Sequence, residues 1–69
     1  MLQLTLNGSP LVTSSVTLTL LELLQQQQLS EKKGIAVAVN NQVVPKAQWK
    51  ATALQNKDNV LVIEATQGG

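Results

Sequence analysis

The sequence contains no cysteine, histidine, arginine, tyrosine or phenylalanine. Each absence excludes a class of chemistry. Without Cys or His there is no thiol nucleophile, no Ser-His-Asp or Cys-His arrangement, and no metal site built on the usual zinc ligands. Disulfides are impossible, which excludes a small secreted scaffold. Five lysines against four acidic residues leave a net charge of +1, and Trp49 is the sole aromatic side chain. A nucleic-acid module would instead show a basic surface with stacking rings. No apolar run reaches membrane-spanning length, and the N-terminus lacks the basic-then-apolar pattern of a secretory signal. The expectation is a cytoplasmic domain that binds neither nucleic acid nor membrane.

What is present suffices for a fold. The 69 residues allow one domain near the lower size limit for an unassisted core, and an apolar share of 43% supports folding over disorder. Leu2, Leu4 and Leu6 alternate with Gln3 and Thr5, the period of a strand with one covered face. Asn7-Gly8 is a strong hairpin signal, and Ser9–Thr13 returns as a second strand with Pro10 near its start or on an edge. Thr19 and Glu22 have capping-box spacing, with Leu18 and Leu23 placed as a hydrophobic staple. A helix is predicted over Leu20 to Gln28, burying Leu20, Leu23, Leu24 and Gln27 on one face.

Ile35–Val39 reads as a third strand, with Ile35, Val37 and Val39 directed at the helix. Asn40-Asn41 turns the chain into a short fourth strand, Gln42–Val44. Pro45 then opens a short helical segment in which Trp49 plugs one end of the core. After a polar turn at Gln55–Asn59, Val60–Ala65 is apolar on both faces over its first four residues, as a central strand is, or a strand whose outer face meets a partner. The order is strand, strand, helix, strand, strand, short helix, strand. One helix must cover one face of one sheet, with the last strand beside the first. The expected fold is α+β, a β-grasp (ubiquitin-like) roll with a mixed sheet of about five strands on one main helix. The domain spans residues 1–66, and residues 67–69 form a tail expected to be mobile when free.

By composition alone, a closing pair of glycines occurs roughly once in 200 chains. Gly68-Gly69 therefore carries weight only together with the fold. Lacking Cβ atoms, such a tail can thread a narrow channel and present its α-carboxylate as the reactive group.

Further motifs narrow the reading. Ala38 to Trp49 resembles the V-x-N-x-x-x-V-P-x-x-x-W pattern of the ThiS family, sulfur carriers of thiamin biosynthesis, and Thr19 to Leu24 resembles that family's T-x-x-E-L-L helix start. The resemblance spans essentially the whole chain. It departs at Asn56-Lys57-Asp58, where Lys57 replaces a more comfortable glycine, which implies strain or a changed turn type.

The resemblance implies a division of labour. A ThiF-like adenylyltransferase, an E1-like enzyme, adenylates the Gly69 carboxylate with Mg-ATP. A cysteine desulfurase or related donor supplies sulfur, and the resulting thiocarboxylate passes to a ThiG-like thiazole synthase. The chain itself is then no enzyme but a protein co-substrate with no bound cofactor and no metal. Gly68, Gln67 and Thr66 would give the tail access to partner sites. By analogy with ubiquitin-like domains, Leu61, Ile63 and Ala65 would form a partner-docking face, with Val60 and Val62 in the core. The alternatives are the small subunit of molybdopterin synthase, which has the same fold and tail, and a β-grasp interaction module without carrier chemistry.

Overall fold

The computed structural model describes residues 1–64. Seven strands, one α-helix and one 3-10 helix follow in the order β1 (Leu2–Leu6), β2 (Ser9–Thr13), β3 (Leu18–Thr19), α1 (Leu20–Gln26), β4 (Ile35–Val39), β5 (Gln42–Val44), the 3-10 helix (Lys46–Ala51), β6 (Ala53–Leu54) and β7 (Asn59–Glu64). The main sheet has five strands in the order β2-β1-β7-β4-β5, and β3 and β6 form a separate two-stranded ribbon. Strand β7 runs parallel to β1 and antiparallel to β4, so the sheet is mixed. This is the β-grasp arrangement expected from the order of elements, with the last strand at the centre.

Local chemistry sets the turns. Asn7 and Gly8 both hold positive φ (51° and 82°), as a two-residue I′ turn requires. Asn40 and Asn41 do the same at 51° and 71° between β4 and β5. Leu6 pairs with Ser9 across the first turn, and Thr5 pairs next with Pro10. Pairs alternate between bonded and non-bonded, so the proline nitrogen faces away from β1, on an edge strand where no neighbour needs it.

The helix begins as its capping box predicts. The Glu22 backbone N–H donates to Thr19 Oγ1 at 3.2 Å, and the Thr19 backbone N–H donates to Glu22 Oε1 at 2.8 Å. Its end differs from the expected Gln28. The helix stops at Gln26, and Gln28 turns to φ 60°. The Leu29 N–H donates to the Leu24 carbonyl (2.7 Å) and the Gln28 N–H to the Gln25 carbonyl (3.1 Å). That pair of bonds is a Schellman motif, with Leu29 folding back toward Leu24. Gln27 is consequently exposed at the C-cap and does not share the buried stripe. Leu29 packs against the core instead.

Leu20, Leu23 and Leu24 are fully buried against Leu2, Leu4, Val37 and Val60, with Leu18, Leu54 and Trp49 completing the cluster. Both staple residues, Leu18 and Leu23, thus lie in the core. Trp49 closes one end, and its indole Nε1–H donates to the Val44 carbonyl at 2.9 Å. The β3–β6 ribbon was not expected. Leu54 pairs with Leu18 there, so the stretch after the 3-10 helix is tied to the start of α1.

Candidate functional site

The residues nominated for sulfur chemistry and tail access, Gly69, Gly68, Gln67 and Thr66, lie outside the described residues, as does Ala65 of the nominated docking face. What the structure describes is the base on which they stand.

That base is β7. On one side, β4 pairs with it from Val39–Val60 through to Ile35–Glu64. On the other side, β1 pairs with only Asn59 and Val60 before turning away at Asn7. Asn7 continues the ladder by other means. Its backbone N–H donates to the Val60 carbonyl at 2.9 Å. Its side-chain Oδ1 accepts the Val62 N–H at 2.7 Å. A turn residue therefore does the work of one further strand position. At the end of β7, Lys32 Nζ meets Glu64 Oε1 at 2.9 Å, the one ion pair among the described residues. Both side chains are well exposed, so this pair contributes at most about 1 kcal/mol.

The start of β7 is tied by a side-chain network. Asn40 Oδ1 accepts the Asn59 backbone N–H at 2.9 Å, and Asn40 Nδ2 donates to Asp58 Oδ1 at 2.9 Å. Asp58 Oδ2 accepts the Gln55 N–H at 2.8 Å. The Lys57 N–H reaches the Gln3 carbonyl at 2.6 Å, and Asn56 Oδ1 accepts the Gln3 N–H at 2.8 Å. Strand β7 is thus held at its start, middle and end.

The two faces of β7 differ. Val60 is fully buried and Val62 packs on the core, whereas Leu61 and Ile63 are 43% and 53% exposed on the sheet face opposite the helix. In the register, Leu61 lies beside Ala38 and Ile63 beside Ala36. Val43 of β5, 73% exposed, stands on the far side of Ala38. Large side chains on β7 and β5 thus flank a row of alanines on β4, forming a shallow apolar trough. Alternation divided β7 into two sets, and only the likeness to ubiquitin-like domains chose Leu61 and Ile63 as the outward one. Ala36, Ala38 and Val43 were missed, because their place beside them depends on strand order.

No polar or charged residue is buried among the described residues. No group of three or more Asp or Glu side chains stands close enough among them to hold a metal ion. What this arrangement offers is an apolar surface next to a firmly mounted strand end.

Comparison with known proteins agrees with this geometry. The model of the ThiS family matches residues 5–69. The chain is 40% identical over 50 residues to the sulfur carrier protein ThiS of Escherichia coli (strain K12), covering 72% of this chain and 70% of that protein. It superposes on the crystal structure of the thiamine biosynthesis protein ThiS from Geobacter metallireducens with a TM-score of 0.84 and 28% identity, over 99% of this chain and all of that one. An NMR solution structure of a thiamine biosynthesis protein from the same organism gives a TM-score of 0.79 at 28% identity, covering 99% of this chain and 88% of that one.

Proposed function

This chain belongs to the ThiS family, and from that premise we propose that it carries sulfur as a thiocarboxylate on Gly69 for thiamin biosynthesis. The carrying observation is that the family match extends to Gly69 itself. The side-chain inventory supports the same reading. A carrier with no cysteine must hold sulfur on some other atom, and the terminal carboxylate is a group that can be activated for it.

The chemistry divides between chains. A carboxylate is a poor electrophile, so its oxygen first attacks the α-phosphorus of ATP, and pyrophosphate leaves. Magnesium and the site for this step belong to a ThiF-like adenylyltransferase. The outer sulfur of a persulfide, formed by a cysteine desulfurase or related donor, then attacks the acyl carbon, and AMP leaves. A partner's thiol cleaves the resulting acyl disulfide, forming a disulfide with the donor sulfur, and a thiocarboxylate remains on the chain, which has no thiol of its own. A thiazole synthase takes the sulfur, and the carboxylate is regenerated. The chain acts as a protein co-substrate throughout. Gly68, Gln67 and Thr66 lead Gly69 into each partner's site, and Leu61, Ile63 and Ala65 bear on the partner's surface.

Intact-mass measurement tests this reading. With the cognate adenylating enzyme, Mg-ATP and a sulfur donor, the chain should gain the mass difference of one oxygen replaced by sulfur. A chain lacking Gly69 should gain nothing. An unchanged mass with an enzyme proven active overturns the proposal. Rescue of a thiazole-requiring strain, set against a molybdenum-cofactor-deficient one, identifies the pathway served.

A further inference from the structure

The lysines are unevenly placed. Lys32, Lys33 and Lys46 line one open cleft, and Lys50 lines the adjoining depression with Lys46. Glu64 faces Lys32, and Glu31 shares a neighbouring hollow with Lys46. This end of the molecule therefore has four of the five lysines and two of the four acids. It has a surplus of positive charge.

The cleft has a volume of about 410 Å³. Val37 and Trp49, both buried, contribute to its lining, as do Ala36 and Val43. Those last two also belong to the apolar trough, so cleft and trough are continuous. A small-molecule site of this size needs fixed polar groups converging on the ligand. The polar side chains here are lysines, with Lys33 and Lys46 exposed and free of any carboxylate within ion-pair distance among the described residues. Mobile surface cations act at longer range, by attracting an oppositely charged surface and speeding encounter.

We propose that the Lys32–Lys33–Lys46 cleft docks an acidic segment of the adenylating enzyme, presented beside the mouth of the channel that receives the tail. The inference rests on the carrier reading above and names the chemistry of that partner's rim. Position supports it. Glu64, the last described residue, is bonded to Lys32 at the cleft edge, so the cleft adjoins the described end of β7. The exposed Lys32–Glu64 pair is weak enough for a partner's carboxylate to displace it.

The experiment measures association of the full chain with the cognate adenylating enzyme over a series of salt concentrations. Lys33→Glu and Lys46→Glu are each compared with Lys57→Glu, which makes the same charge change near the opposite end of β7, about 20 Å away by strand rise. Each cleft substitution should lower the association rate about threefold and flatten its salt dependence, while Lys57→Glu leaves both near the unsubstituted values. Zero-length carbodiimide cross-linking should join Lys33 or Lys46 to an Asp or Glu of the enzyme. Unchanged rates, an equal effect from Lys57→Glu, or cross-links confined to other lysines would overturn the docking assignment while the mass assay still reports sulfur transfer. Self-association of the chain that the cleft substitutions abolish, without an effect on enzyme binding, would assign the cleft to a second copy and overturn it too. An unsubstituted chain that neither binds nor is converted removes the carrier reading, and this inference with it.

Discussion

At Lys57 the backbone sits at φ 72°, and the Asp58 N–H bonds back to the Gln55 carbonyl at 3.1 Å. Positive φ at the third residue of a bonded turn is the type II geometry, which favours glycine. A side chain there costs about 1–2 kcal/mol. The departure from the family pattern at this position thus has a physical consequence. Lys57→Gly is expected to stabilise by about 1 kcal/mol and raise the melting temperature by about 4–8 °C, whereas Lys57→Ala should gain nothing. Thermal melts of the two variants check it. Asn7 calls for a different pair of substitutions, because it both adopts positive φ and accepts the Val62 N–H. Asn7→Gly keeps the turn and removes the acceptor, so its cost of about 1 kcal/mol isolates that hydrogen bond. Asn7→Ala adds backbone strain and should cost more. The turn was legible because Asn-Gly is a local signal. The second role was not, because the bond joins residues 55 positions apart.

The helix shows how far periodicity reaches and where it fails. The leucine spacing identified the three fully buried residues, Leu20, Leu23 and Leu24. It could not place the end, since glutamines propagate a helix well and only the Schellman bonds stop it after seven residues. So short a helix depends on its cap. Thr19→Ala should cost about 1 kcal/mol, with the loss appearing in a chemical melt at unchanged m-value. Strand β7 offers the converse test, because its faces have opposite surroundings. On the proposed carrier reading, Ile63→Lys should leave the melting temperature nearly unchanged and weaken binding of the adenylating enzyme, as thermal melts and a binding titration would show. Val60→Lys places a charge at a fully buried position and should prevent folding, as loss of the cooperative transition by circular dichroism would show. The small β3–β6 ribbon escaped sequence reading because two-residue strands carry no period to detect.

For the whole molecule, the decisive contact is between the two ends of the chain. Strand β1 lies beside β7, and helix α1 covers both through Leu2, Leu4 and Val60. Two-sided apolarity in β7 made its central place legible, while the Lys32–Glu64 and Asn40–Asp58 bonds depend on folded geometry that no local pattern encodes. The parallel β1–β7 pairing also has a mechanical consequence. The outgoing end of β7 at Glu64 and the incoming end of β1 at Leu2 point in opposite directions. Tension on the C-terminal end therefore loads the bonds at Thr5, Asn7 and Val62 sideways and together, as in a lap joint under shear. They resist as a group where a peeled hairpin would yield one bond at a time. A carrier of the proposed kind, whose last residues would be drawn into a partner's site, would gain from this geometry. Its body can be pulled by the end without being unzipped.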